Sequence, residues 1–167
     1  VTGQPIVGDP HSERLPLLGG EVGMQKDLEG QAHAALDGRL PGDVIDHLLH
    51  AYGSQYTNVV AVLNEDASLA ERLSPGLPYI KAEVIHAVRH EMAMTLTDML
   101  NRRLHLLMED ADQGLEEADM VASMMVREMG WTEEQRRAQI ADYRTEVERT
   151  RAYLRQDGAY FDDELKR

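Results

Sequence analysis

The chain has 167 residues, of which 43% are hydrophobic and 28% charged, and its formal net charge is −13. This size and composition fit one globular domain with its own core, and the acidic balance argues against a nucleic-acid partner because it repels a phosphate backbone. The chain has no cysteine, which excludes disulfides and cysteine-ligated metals and agrees with a cytoplasmic setting. No apolar run approaches the roughly 20 residues of a membrane span, so we expect a soluble protein.

The first 42 residues are rich in chain-breaking residues, with four prolines and eight glycines. This composition predicts a mostly extended linker over 1–42. The alternative for the second half of this segment is a short helix from Met24 to Leu36, although Gly30 lowers its helix propensity. The absence of an organising periodicity after Val1 favours a piece of a longer polypeptide.

Helical periodicity begins at Asp43. Apolar residues recur at helical spacing over 43–52, and Gly53 suits the position after a helix. A second helix is predicted over 56–66, with a further turn or two over 68–73 before the proline-rich run 74–78 breaks the chain.

Two helices are then expected to meet near Met92, one over 81–92 and one starting at Thr95. Thr95 and Asp98 form a variant of the capping box, in which two side chains cap the start of a helix reciprocally. The second of these helices has a continuous apolar stripe: Leu96, Met99, Leu100, Leu104 and Leu107.

An acidic loop over 109–114 separates this stripe from a helix predicted over 115–129. Thr132 and Gln135 form a second capping box that starts the last helix, which we expect to reach Arg155. The run 156–158 should stop it and leave a mobile charged tail.

The predicted fold is therefore all-α, an irregular antiparallel bundle of five or more helices preceded by an extended linker. The predicted organisation is a linker at 1–42, a helical domain at 43–155 and a charged tail at 156–167. The residues expected to be buried are Leu48, Val88, Leu100, Leu104, Ala122, Met125 and Val147.

Two groups of residues have the spacing of metal ligands. Glu83, His86, His90 and Glu91 combine a Glu-x-x-His with a histidine pair at i, i+4. A di-iron site would need a second Glu-x-x-His and a zincin would need His-Glu-x-x-His, and the sequence has neither. The other group is made of Asp43, Asp46, His47 and His50, for which a solvated helix face is the favoured interpretation.

The sequence contains no G-x-G-x-x-G, P-loop or G-x-S-x-G motif. We therefore predict no catalytic, cofactor-binding or metal-binding residue in this chain. Arg102 and Arg103 are the remaining candidates for a functional contact, because they are adjacent cations in an acidic chain. Asp98 is placed for an intrahelical pair with Arg102, and Arg103 could instead reach carboxylates or carbonyls on another domain.

The run Glu-Met-Ala-Met-Thr-Leu-Thr-Asp-Met-Leu-Asn-Arg-Arg at 91–103 resembles the C-terminal domain of FAD-dependent sn-glycerol-3-phosphate dehydrogenases. The segments 51–54, 81–84 and 129–131 match the same family in order and spacing, as does 15–20. The similarity covers most of 15–155.

The resemblance implies a parent enzyme of glycerol metabolism that oxidises sn-glycerol 3-phosphate to dihydroxyacetone phosphate at FAD and passes electrons to quinone, or in some relatives to oxygen. It implies no cofactor in this chain, and a partner in the N-terminal flavin domain of the same polypeptide. The parent would be cytoplasmic or peripheral on the cytoplasmic face of the membrane, as a monomer or a homo-oligomer.

We expect the block 91–103 to dock onto that flavin domain, through Glu91, Asp98, Arg102 and Arg103. The alternative function is a free-standing acidic helical module for interaction or regulation, and an iron or zinc protein is a more distant third.

Overall fold

The computed structural model describes the backbone of residues 25–164 and the side chains of residues 27–152. The interpretation of residues 1–24 lies outside this range. Seven α-helices occur within it, with no strand, so the all-α prediction is confirmed for the described part of the chain. None of the described helices combines the length and the apolar character needed to cross a membrane.

The chain divides into two compact units, residues 1–57 and residues 58–167. The boundary at residue 42 between linker and helical domain stays a prediction. The first unit contains α1 (Gln25–Leu36) and α2 (Gly42–Tyr52), and α3 (Tyr56–Glu65) begins at its end.

Helix α1 confirms the alternative short helix expected from Met24 to Leu36 within the mostly extended segment. Gly30 does not prevent it, because one glycine costs only about 1 kcal/mol relative to alanine in a helix. Leu36 ends the helix by accepting hydrogen bonds at its carbonyl from Arg39 N and Leu40 N, at 2.9 and 3.1 Å. Helix α2 starts directly after Pro41, whose fixed φ suits a helix entry.

The second unit contains the rest of α3, then α4 (Lys81–His90), α5 (Leu106–Glu109), α6 (Ala118–Met129) and α7 (Glu133–Glu164). A 3₁₀ turn at Ala67–Ala70 replaces the predicted extra turns at 68–73.

Helix α4 packs on α6, and α6 packs on α7. Helix α7 runs back along α6. Two contacts show this direction: Tyr143 and Arg151 of α7 donate hydrogen bonds to the carbonyls of Gln113 and Asp112, which precede α6. Arg89 ties three helices together: its guanidinium pairs with Glu65 of α3 at 2.8 Å and Glu128 of α6 at 2.7 Å.

The predicted helix over 95–107 is interrupted. Residues Asp98–Arg103 form a π-helical turn, and His105 is in the left-handed region with φ 49° before α5 begins. The hydrogen bonds of a π turn span five residues instead of the four of an α-helix. Leu100 and Leu104 of the stripe are buried all the same, although the α-helix is not continuous.

Helix α7 begins at the predicted capping box. Thr132 N donates to Gln135 Oε1 at 2.7 Å, and Gln135 N donates to Thr132 Oγ1 at 3.2 Å. The expected stop near Arg155 is wrong, because the helix continues through Gly158 to Glu164. The cost of one glycine is too small to end a helix by itself.

Six of the seven residues expected in the core are buried, and Val88 is half-exposed instead. Val88 lies on the same helix as the fully buried Val84 and Ala87. It therefore marks the edge of the buried face of α4. The confirmed residues are Leu48, Leu100, Leu104, Ala122, Met125 and Val147.

Candidate functional site

The block 91–103 begins with a sharp turn at the end of α4. Met92 adopts φ 56°, a left-handed conformation that is uncommon for a residue other than glycine. Ala93 is fully buried, and its N–H donates to the carbonyl of Ala87 at 3.2 Å. These contacts hold the chain in the turn and direct residues 91–95 out of the α4 axis.

Thr95 and Asp98 make the predicted reciprocal contacts. Thr95 N donates to Asp98 Oδ2 at 3.1 Å, and Asp98 N donates to Thr95 Oγ1 at 3.0 Å. The pKa of Asp98 falls below its usual value, because the raising effect of partial burial is outweighed by hydrogen bonds from Thr95 and Arg102. Leu96 N donates to Gln139 Oε1 on α7 at 2.9 Å, so the block is fixed to the long helix as well.

The four residues predicted to dock form two pairs within the domain. Arg102 is paired with Asp98, as the intrahelical interpretation predicts. Arg103 Nη2 donates to the carbonyl oxygen of Glu91, and Arg103 Nε lies 3.9 Å from Glu91 Oε2. Both arginine side chains remain substantially exposed, at 67% for Arg102 and 41% for Arg103.

Three methionines in or shortly after the block 91–103 are exposed. Met92 is 80% exposed, Met94 is 54% and Met108 is 74%, and they are the exposed large hydrophobic residues of the described chain. Because Arg103 reaches Glu91, the turn that carries Met92 and Met94 is joined to the π turn, and Met108 follows Arg103 by five residues in the sequence. We call the set Met92, Met94, Met108, Arg102 and Arg103 the methionine surface.

The histidine group on α4 does not form a three-ligand site. Glu83 is buried and its Oε2 accepts from Ile80 N at 2.8 Å, so this carboxylate caps the helix. His86 is buried, and burial with the nearby His90 lowers its pKa to about 4. The two imidazole rings lie 5.0 Å apart between centroids.

The group on α2 is also not assembled into a metal site. Asp46 Oδ1 accepts a hydrogen bond from His33 Nε2 of α1 at 2.7 Å, in an exposed contact that needs the imidazole protonated at Nε2. This contact links two helices of the first unit.

One carboxylate cluster was missed by the sequence analysis. Among the described residues, Asp110, Asp112 and Glu117 are the group of three potential ligands whose oxygens come within 4.8 Å of one another. The D-x-D-x-G spacing at Asp110, Asp112 and Gly114 was the signal available in the sequence. The burial of Glu117 depends on the tertiary fold and had no sequence signal.

The chain matches a family model described as the C-terminal domain of alpha-glycerophosphate oxidase over residues 11–136. Relatives include a glycerol-3-phosphate dehydrogenase of Synechocystis, 36% identical over 62% of this chain, and a probable mitochondrial glycerol-3-phosphate dehydrogenase of Dictyostelium discoideum, 32% identical over 77%. A glycerol-3-phosphate dehydrogenase 2 of Mycobacterium tuberculosis is 31% identical over 82% of this chain.

The matched region spans only 19%, 20% and 23% of the length of these three relatives, respectively. No solved structure matches the chain.

Proposed function

Because the chain belongs to the family described as the C-terminal domain of alpha-glycerophosphate oxidase, we propose that it is the helical accessory domain of a longer FAD-dependent glycerol-3-phosphate dehydrogenase. The observation that carries this proposal is the alignment with about a fifth of each relative that bears the dehydrogenase name. The reaction proposed for the longer polypeptide is oxidation of sn-glycerol 3-phosphate to dihydroxyacetone phosphate, with electrons passed from FAD to quinone.

The proposal gives this chain no FAD site. The sequence lacks the glycine fingerprint that lets a backbone approach a pyrophosphate. The proposal therefore assigns flavin and substrate binding to the remainder of the polypeptide. The location proposed for the longer enzyme is the cytoplasmic face of the membrane, where quinone is available.

The role proposed for this domain is to dock on the flavin-binding part through the methionine surface. Methionine side chains are flexible and suit contact surfaces, and an exposed apolar group next to arginines is typical of an interface. The rest of the same polypeptide is the proposed occupant, because the relatives are about five times longer than the matched region.

The backbone around this surface supports the same role. Met92 and His105 both have positive φ values, 56° and 49°, on either side of the π turn. Such conformations cost about 1 to 3 kcal/mol each and cluster at functional positions. Here they are held by the buried neighbours Ala93 and Leu104, so the exposed side chains project from a rigid frame.

The test is to read the coding sequence upstream of Val1 and assay the encoded longer protein. We expect a dinucleotide-binding fingerprint, bound FAD, and glycerol 3-phosphate oxidation with a quinone analogue as acceptor. A reading frame that starts directly before Val1 would contradict the proposal and favour the free-standing acidic module. A flavoprotein that oxidises another substrate would contradict the assigned reaction but leave the accessory role in place.

A further inference from the structure

The loop between α5 and α6 gathers three acidic side chains. Carboxylate oxygens of Asp110, Asp112 and Glu117 lie within 4.8 Å of one another. Asp110 Oδ2 accepts from Gly114 N at 3.0 Å, and Ser74 Oγ donates to Asp110 Oδ1 at 3.5 Å. The loop backbone thus holds the aspartates in place.

Glu117 is the feature that distinguishes this cluster from an ordinary acidic loop. The residue is 6% exposed, and its Oε2 is buried with no hydrogen-bond partner among the described residues. Its carboxylate lies against Asp110 and Asp112. A buried carboxylate oxygen with no donor costs free energy unless something compensates for its charge.

No described side-chain cation neutralises the cluster directly. Arg151 lies beside it, but its Nη2 donates to the carbonyl of Asp112 at 3.0 Å and its Nε to Gln113 Oε1 at 2.7 Å. Because the three carboxylates lie so close together and one oxygen of Glu117 has no donor, a bound cation or a shared proton must offset their charge.

We propose that Asp110, Asp112 and Glu117 bind one calcium ion. All three donors are carboxylate oxygens, which suit a hard cation rather than iron or zinc with histidine ligands. Their oxygens lie within 4.8 Å of one another, which lets one ion contact all three. Ca²⁺ accepts irregular oxygen coordination, whereas Mg²⁺ demands near-ideal octahedral geometry and gives up its water reluctantly, so an irregular loop suits calcium better.

This inference departs from the sequence-based expectation that the chain has no metal site. It does not rest on the proposed function, since it depends only on residues of this loop and its neighbours. A bound calcium ion would connect the loop to the start of α6. Tyr143 Oη donates to the Gln113 carbonyl at 2.5 Å, so the ion would also strengthen the contact between this loop and α7.

The test uses the 167-residue chain and terbium as a luminescent substitute for calcium. Tyr143 lies close enough to the loop to sensitise terbium emission. We expect terbium emission that calcium displaces, with a calcium dissociation constant of about 10⁻⁵ to 10⁻³ M. We also expect calcium to raise the melting temperature relative to EDTA, and Mg²⁺ to do so much less.

Glu117→Gln removes the charge and keeps the shape, and should weaken calcium binding at least about tenfold. Asp112→Asn is the second variant, and Glu116→Gln is the control because it removes an exposed charge from the same loop. Equal calcium binding by Glu117→Gln and Glu116→Gln would overturn the site. Absence of any calcium effect on the original chain would also overturn it, and equal affinity for Mg²⁺ would overturn the assignment to calcium.

Discussion

Leu104 is the most informative core position, because it lies where the π turn meets α5. Its side chain is fully buried, and its N–H donates to the carbonyl of Met99 at 2.9 Å. Leu104→Ala removes three buried side-chain carbon atoms, which lowers the free energy of unfolding by about 2.4 kcal/mol at about 0.8 kcal/mol each. The cavity left behind adds to this loss, so we expect a destabilisation of about 2 to 5 kcal/mol.

The assay is urea unfolding of the 167-residue chain followed by circular dichroism, with an unchanged denaturant slope as evidence that the same transition is measured. Met108→Ala is the control, because Met108 lies four residues later and is 74% exposed. It should cost less than about 0.5 kcal/mol. A Leu104→Ala loss below that value, or an equal loss for both variants, would show that the packing described around the π turn is wrong.

Two further predictions concern acid stability and cofactor binding. Burial and His90 lower the pKa of His86 to about 4, so the unfolded chain binds a proton that the folded chain does not between pH 6.5 and about 4. The free energy of unfolding should therefore fall as the pH falls through this window, by up to about 1.4 kcal/mol per pH unit from this group. His86→Gln should reduce the slope of unfolding free energy against pH in the same window. An unchanged slope would refute the role of His86 in acid destabilisation. The purified 167-residue chain should neither retain FAD through gel filtration nor oxidise glycerol 3-phosphate, and flavin absorbance that co-elutes with it would contradict the proposed division of roles.

Several elements could be predicted from the sequence because their signals are local. The apolar spacing identified α2, α3, α4 and α6, and the Thr132 capping box placed the start of α7 within one residue. The Asp98–Arg102 pair likewise follows from spacing four residues apart on a turn.

The features that could not be predicted depend on tertiary contacts. The stripe from Leu96 to Leu107 fits an unbroken α-helix. Histidine is enriched in left-handed conformations, but this preference is too weak to predict the one at His105. The burial of Glu117 likewise requires the fold, since the residues around the acidic loop come from distant parts of the chain, including Ser74 and Tyr143.

The pairing of Arg103 with Glu91 changes how its docking role must be tested. An exposed ion pair of this kind contributes about 0 to 1 kcal/mol to the domain itself. A charge-assisted contact with the flavin-binding part would add about 1.5 to 3 kcal/mol in the longer protein. Arg137 is a matched control, because it is 76% exposed and pairs with Glu133 within α7.

The central measurement is therefore the thermal stability and flavin retention of Arg103→Ala and Arg137→Ala, each made in the longer protein and in the 167-residue chain. Docking through the methionine surface predicts that Arg103→Ala destabilises the longer protein and loosens its flavin while hardly changing the isolated chain. Arg137→Ala should have little effect in either. Equal destabilisation of both proteins by Arg103→Ala, or no effect on either, would contradict the docking role.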